Sequence, residues 1–311
     1  MYGVIEGFFG IWVIIGVGYW SGKKNLFGDN GRYILNRLTF FIASPTLLFT
    51  TISAAKPQQA LGPQLFIAGI SAMVVFLAYG IFSRLAFKRT PGERTIGAMA
   101  ASTVNAGNLG LPIAIYALGD ISLAAPIALF QMSVMTPLSL SLMEKATAKG
   151  GTKFTGVLWR TISNPMILAS VLGLLCSIYQ WQPPQIIMTP IELLAGASIP
   201  AMLLGFGLSL VGSRPLQRSS QRRTEVWVAT FSKLVLHPLL AWALAAWVFR
   251  LDSTGQYIAV IMAALPTAQN IFVNADRYES GITIAKDTVL LTTVLGIPAM
   301  LGFAALLLHL G

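Results

Sequence analysis

Apolar residues run along this chain in long blocks, separated by short charged or turn-rich stretches. A helix that spans a bilayer needs about 20 mostly apolar residues. Ten windows meet that requirement, at roughly 3–20, 34–54, 63–86, 95–118, 121–143, 161–181, 187–211, 225–249, 256–275 and 284–310. Little sequence lies outside them, so the pattern predicts an all-α polytopic membrane protein with short loops. Two windows are interrupted. The fourth contains Asn105-Ala106-Gly107-Asn108-Leu109-Gly110-Leu111-Pro112, and the ninth contains Pro266-Thr267-Ala268-Gln269-Asn270. Amides, glycine and proline at those depths predict broken helices. Backbone groups freed from helical pairing are tolerated at membrane depth only where they face protein, water or a ligand. One break in each half of a chain marks a transporter's binding site.

The composition agrees. The chain is 55% hydrophobic and 10% charged, with a mean hydropathy of +0.71, against roughly 25% charged residues in a soluble domain. A net charge of +10 would suit nucleic acid if it were clustered, but its placement follows the windows. Assigning loops alternately to two sides puts 18 of the 21 basic residues on one side and two, Lys56 and Arg250, on the other, with Lys233 inside a span. The positive-inside rule then places both termini outside and makes the lipid bilayer, not nucleic acid, the partner of this charge. The first window begins almost at Met1 without a basic n-region, so no cleavable signal peptide is expected. The single cysteine, Cys176, excludes an intrachain disulfide and reads as a small core residue.

The halves are weakly self-similar. Ser44-Pro45 matches Ile199-Pro200, Ala100 to Asn108 matches Met262 to Asn270, and Thr136-Pro137 matches Ile297-Pro298, at offsets of 155, 162 and 161 residues. An odd number of spans per repeat inverts the second half relative to the first. The expectation is two inverted five-helix repeats, 1–155 and 156–311, whose broken helices 4 and 9 cross near the midplane. Each break would present a half-helix N-terminus with partial positive charge and N–H donors, an arrangement suited to a carboxylate.

No acidic residue falls at either break, which argues against cation/proton exchange. Neutral polar residues do: Ser102, Thr103, Asn105, Asn108, Thr267, Gln269, Asn270 and, further along, Asn274. Asn and Gln can donate to a carboxylate or accept around sodium, so coupling stays open. Lys233 lies inside the eighth span, one turn before His237 and Pro238. It reads as a prop for unwound carbonyls, a snorkelling side chain, a substrate contact or a charge that replaces a coupling cation. His237 and His309 make no metal cluster. The prolines Pro45, Pro137, Pro165, Pro200 and Pro298 read as kinks. The tryptophans fall mostly near span ends, as an interfacial belt would place them. There is no nucleotide loop, Ser-His-Asp set or Cys/His spacing, so neither an enzyme nor a bound cofactor is expected.

The stretches Asn105 to Pro112 followed by Gly119-Asp120, Lys233-Leu-Val-Leu-His-Pro238, and Ala264-Leu-Pro-Thr-Ala-Gln-Asn270 resemble the bacterial auxin efflux carrier family, relatives of the plant auxin carriers. The resemblance covers essentially the whole chain. It implies a fold like that of the bile-acid sodium symporters and sodium/proton antiporters. Spans 1, 2, 6 and 7 would form a scaffold domain, and spans 3–5 and 8–10 a transport domain with elevator-like alternating access. It also implies a small organic anion such as malate, malonate or indole acetate, a bacterial cytoplasmic (inner) membrane, and a homodimer through the scaffold domain. The substrate site is expected at Asn105, Asn108, Gly110, Pro112, Pro266, Thr267, Gln269 and Asn270, with Lys233 balancing charge or propping the backbone. The loop from Lys145 to Arg160 is short, so loop phosphorylation is not carried over. A sensor that binds an organic acid without moving it, a channel and a sodium-coupled symporter are the competing expectations.

Overall fold

The computed structural model describes residues 2–54, 62–110, 113–114, 118–119, 121–147, 163, 165–212, 216 and 222–310. Within them every element is helical except one isolated antiparallel bridge between Val104 and Thr267. Among the described residues four helices are long and apolar enough to cross a membrane: α2 (Gly31–Ala54), α3 (Pro63–Ala86), α7 (Gln185–Ser209) and α8 (Arg223–Val248). The last helix, α11 (Ile282–Leu310), bends by 46° between Gly296 and Pro298. Between these lie α1 (Tyr2–Lys23), α4 (Pro91–Ser102), α5 (125–147), α6 (Pro165–Ile178), α9 (Ser253–Ala263) and α10 (Asn270–Arg277). The windows at 95–118 and 256–275 are not continuous helices, because α4 stops at Ser102 and α9 at Ala263.

Two prolines expected to kink helices act through π turns. Thr39–Ala43 and Gln131–Met135 are π-helical and end two residues before Pro45 and Pro137, and Ser232–Leu236 ends two residues before Pro238, which was not among the prolines expected to kink. Proline lacks the N–H that would close the i−4 bond, and its ring crowds that carbonyl, so the ladder widens locally.

The helices pack in two groups. In the first, α1 lies on α7, and α2 lies on α6 and α7. The α1–α7 approach depends on glycine: a Cβ on Gly207 would stand 2.3 Å from the Ile15 carbonyl oxygen, and one on Gly18 2.5 Å from that of Leu204. Without a hydrophobic force between helices in lipid, such close backbone approach is a main source of attraction. In the second group α4 is central, flanked by α3, α5, α8, α10 and α11, with α9 against α8. Large side chains such as Leu85, Ile186 and Leu193 remain more than 70% exposed. A bilayer accepts them where water would not.

Polar contacts tie the loops at both ends. Arg32 pairs with Asp276, and Arg222 with Glu93. Arg89 lies 2.5 Å from Glu225. These contacts draw basic loops together at one end. Gln64 donates to the Gly255 carbonyl at 2.9 Å, and Gln182 to that of Ser53 at 2.9 Å, at the other. Thr90 and Glu93 form a capping box that starts α4. Desolvation raises the Glu93 pKa, but the Arg222 guanidinium and Thr90 outweigh it and leave the carboxyl below its usual range.

Candidate functional site at the paired helix breaks

Past Ser102 the chain turns extended, with Thr103 at φ −87° and ψ 118°. Val104 then meets Thr267 of the second break as the bridge. The Asn105 N–H donates to the Pro266 carbonyl at 2.8 Å, and the Ala268 N–H donates to that of Thr103 at 3.1 Å. Backbone groups released by one break are therefore satisfied by the other. This meets the demand that buried N–H and C=O groups be paired. Thr267, fully buried, is fixed from two further sides. Its hydroxyl donates to the Ala100 carbonyl at 2.6 Å, and its N–H donates to the Thr292 hydroxyl at 3.0 Å. Beyond the bridge both chains coil again. The Asn105 carbonyl accepts from Leu109 and Gly110 to start a π turn over Ala106–Gly110, and α10 starts at Asn270.

These two starts face one cavity of about 620 Å³ including its open mouth. Its polar wall consists of Asn36 and Thr39 from α2, Asn105 from the first break, Gln131 from α5, and Gln269 and Asn270 from the second break. Ser44 of α2 and Ser198 of α7 also line it and share a buried hydrogen bond of 2.9 Å. Among the described residues no charged side chain lines it. The Thr39 hydroxyl oxygen and the Asn270 side-chain oxygen are buried with no hydrogen-bond partner among the described residues. An asparagine amide can turn to present either its oxygen or its two donors, so Asn270 can serve an acceptor ligand.

The expected site residues separate into groups. Asn105, Gln269 and Asn270 line the cavity. Pro266 and Thr267 support it from behind through the contacts above, and the Pro266 ring faces Gly296. Gly110 is buried with Leu265 and Met262 as neighbours and does not line the cavity. Pro112 and the side chain of Asn108 lie outside the described residues. Asn36, Thr39 and Gln131 were not anticipated. Their signal was a polar residue on a face of an otherwise apolar span, Asn36 followed by Thr39 in α2 and Gln131 alone in α5.

Lys233 stands behind the break. It is fully buried and therefore does not snorkel. Its ammonium donates to the Ala263 carbonyl at 2.6 Å and to His237 Nδ1 at 3.2 Å. With Nδ1 accepting, His237 Nε2 donates to the Ser71 hydroxyl at 3.2 Å, which in turn donates to the Ala68 carbonyl at 3.3 Å. Ala263 ends α9, so its carbonyl is one that a helix C-terminus leaves unpaired. His237 and Ala263 line a second cavity of about 340 Å³, which shares Val104 and Gln131 with the first. Lys233 lines neither. Among the described residues no group of His, Cys, Asp or Glu could hold a metal.

The family model for membrane transport proteins matches residues 4–304. The chain belongs to the auxin efflux carrier family. Among relatives of this auxin efflux carrier family member, a protein of Rhizobium meliloti (strain 1021) named "Putative malonate transporter" is 28% identical over 318 residues, covering 98% of this chain and 95% of its own. The "Uncharacterized transporter YfdV" of Escherichia coli (strain K12) is 25% identical, over 86% of this chain and 85% of its own. An "Uncharacterized transporter" of Methanothermobacter thermautotrophicus is 24% identical, over 96% of both. The auxin efflux carriers and these relatives are transporters, not enzymes.

Proposed function

We propose that this protein is a secondary carrier of small organic anions that bear a carboxylate, the class named for the Rhizobium relative. One observation carries the reading. Two helix starts and the amides beside them wall one cavity with no fixed charge among its described lining residues. Helix N-termini and amide donors stabilise an anion without a buried cation, and the neutral wall lets it leave again.

In this reading the chain forms ten spans as two inverted repeats, crossing at the Val104–Thr267 bridge. Spans 1, 2, 6 and 7 are the scaffold, and the group around α4 is the element that moves. The separate packing of α1, α2, α6 and α7 supports that division. The cavity lies along its seam, with Asn36, Thr39 and Ser198 on one wall and Asn105 and Asn270 on the other. The membrane is the bacterial cytoplasmic membrane, and the basic end faces the cytoplasm. The ammonium of Lys233 already occupies the Ala263 carbonyl, which supports carriage without sodium at that point.

Uptake of radiolabelled malonate into proteoliposomes tests the assignment. Asn105→Ala and Asn270→Ala should each lower uptake by roughly tenfold or more, the effect of losing a hydrogen bond to a charged group. Full transport by both variants overturns the site. Saturable malonate binding without flux under any gradient favours a sensor instead.

A further inference from the structure

The carrier reading leaves the anion's second charge without a partner, and the geometry at the cavity mouth supplies one. Asn270, Val273 and Arg277 sit at i, i+3 and i+7 of α10, one face of a helix. Asn270 and Val273 line the cavity, and Arg277, exposed, continues that face beyond the lining residues. Helical side chains lean toward the N-terminus, which for Arg277 is toward the cavity. Its guanidinium carbon stands 5.4 Å from the ring centroid of Phe40, a cavity-lining residue, and 5.6 Å from that of Tyr278.

Arg32, on the same α2 face as Asn36 and Phe40, frames the other side of the mouth. It is neutralised by Asp276 and stacks 4.8 Å over Phe272. Arg277 is exposed and pairs with no carboxylate among the described residues. One of the two arginines framing the entrance is therefore spent in an ion pair, and the other is available. A guanidinium whose neighbours are aromatic rings rather than a carboxylate keeps its N–H fork free for a carboxylate.

We infer that Arg277 is a substrate-recognition residue, holding one carboxylate of an entering dicarboxylate and so favouring dianions over monoanions. This rests on the carrier reading above. Arg277 also ends α10 and stacks on Tyr278, which would suit a purely structural role. The test must therefore read ligand charge.

Malonate and propionate, similar in size but differing by one carboxylate, are the probes for proteoliposome uptake. Arg277→Gln should raise the malonate KM roughly tenfold or more, move the propionate KM by less than about threefold, and leave kcat for both within about twofold. Arg277→Lys keeps the charge without the fork and should fall between. If Arg277→Gln does not fold, the Lys variant decides: an intermediate malonate KM supports the assignment, and a wild-type KM overturns it. Equal KM changes for both acids, or a loss confined to kcat, also overturn it. If the wild-type protein carries malonate and Arg277→Gln matches it, the Arg277 assignment alone falls. If the wild type carries neither acid and neither raises its unfolding temperature, the carrier reading falls and takes the assignment with it.

Discussion

Lys233 places an ammonium where a broken helix needs a donor. The Ala263 carbonyl and His237 Nδ1 both accept from it, and Lys233 itself is fully buried. Lys233→Met keeps most of the side chain, one atom shorter, and removes the donor. The expected loss is about 1–3 kcal/mol for each acceptor left unsatisfied. Thermal unfolding of the purified variant should fall by several degrees, while the malonate KM of the surviving protein stays near that of wild type, because Lys233 lines no part of the anion cavity. A raised KM with unchanged stability would make Lys233 a substrate contact. The sequence made Lys233 conspicuous because a charge inside a span is rare, yet it left four roles open. Burial and the 2.6 Å contact distinguish the prop from the snorkel. Asn36, Thr39 and Gln131 were illegible for the opposite reason. A lone amide or hydroxyl in a span is most often a helix–helix contact, and only the meeting of α2, α5 and the breaks makes these residues a wall.

At the scale of elements, the breaks were legible because glycine, proline and amides contrast with apolar surroundings. Their pairing was not. Thr103 and Ala268 are 165 positions apart in sequence, and no local pattern states that the carbonyl of one will accept from the other. Prolines were likewise legible as kinks but not as π turns, since the ladder can relax in more than one way around a missing N–H. The close approach of α1 to α7 rests on Gly18 and Gly207, far apart in sequence. The α1–α7 seam gives that packing a direct check. Gly207→Ala sets a methyl 2.3 Å from the Ile15 carbonyl, where only backbone movement can relieve it. It should destabilise by about 1–3 kcal/mol. Gly16→Ala, on the partner helix α1 with nothing within 4 Å of its Cβ, should leave the unfolding temperature unchanged. Similar behaviour of the two would remove close packing as the basis of the seam.

For the whole molecule, the distribution of charge was the most legible feature, because it requires only counting along the loops. The basic loops do meet at one end, joined by the Arg32–Asp276, Arg89–Glu225 and Arg222–Glu93 pairs. The first pair differs from the other two in what it connects. Arg89–Glu225 and Arg222–Glu93 join parts of the group around α4, whereas Arg32–Asp276 joins α2 to α10, across the seam that holds the cavity. If the group around α4 moves against α1, α2, α6 and α7, this contact must open in every cycle, and a single half-buried ion pair open to solvent on one side is weak enough to do so. A covalent link in its place cannot open. In a Cys176→Ala background, Arg32→Cys with Asp276→Cys bridged by a short bifunctional thiol reagent should abolish malonate uptake, and reduction of a cleavable reagent should restore it. Each single cysteine treated alike should retain most of its transport. Malonate should still raise the unfolding temperature of the bridged protein, because the cavity walls remain in the arrangement described. Undiminished uptake through the bridged protein would mean that the two helix groups do not separate there, and the seam would have to be sought elsewhere.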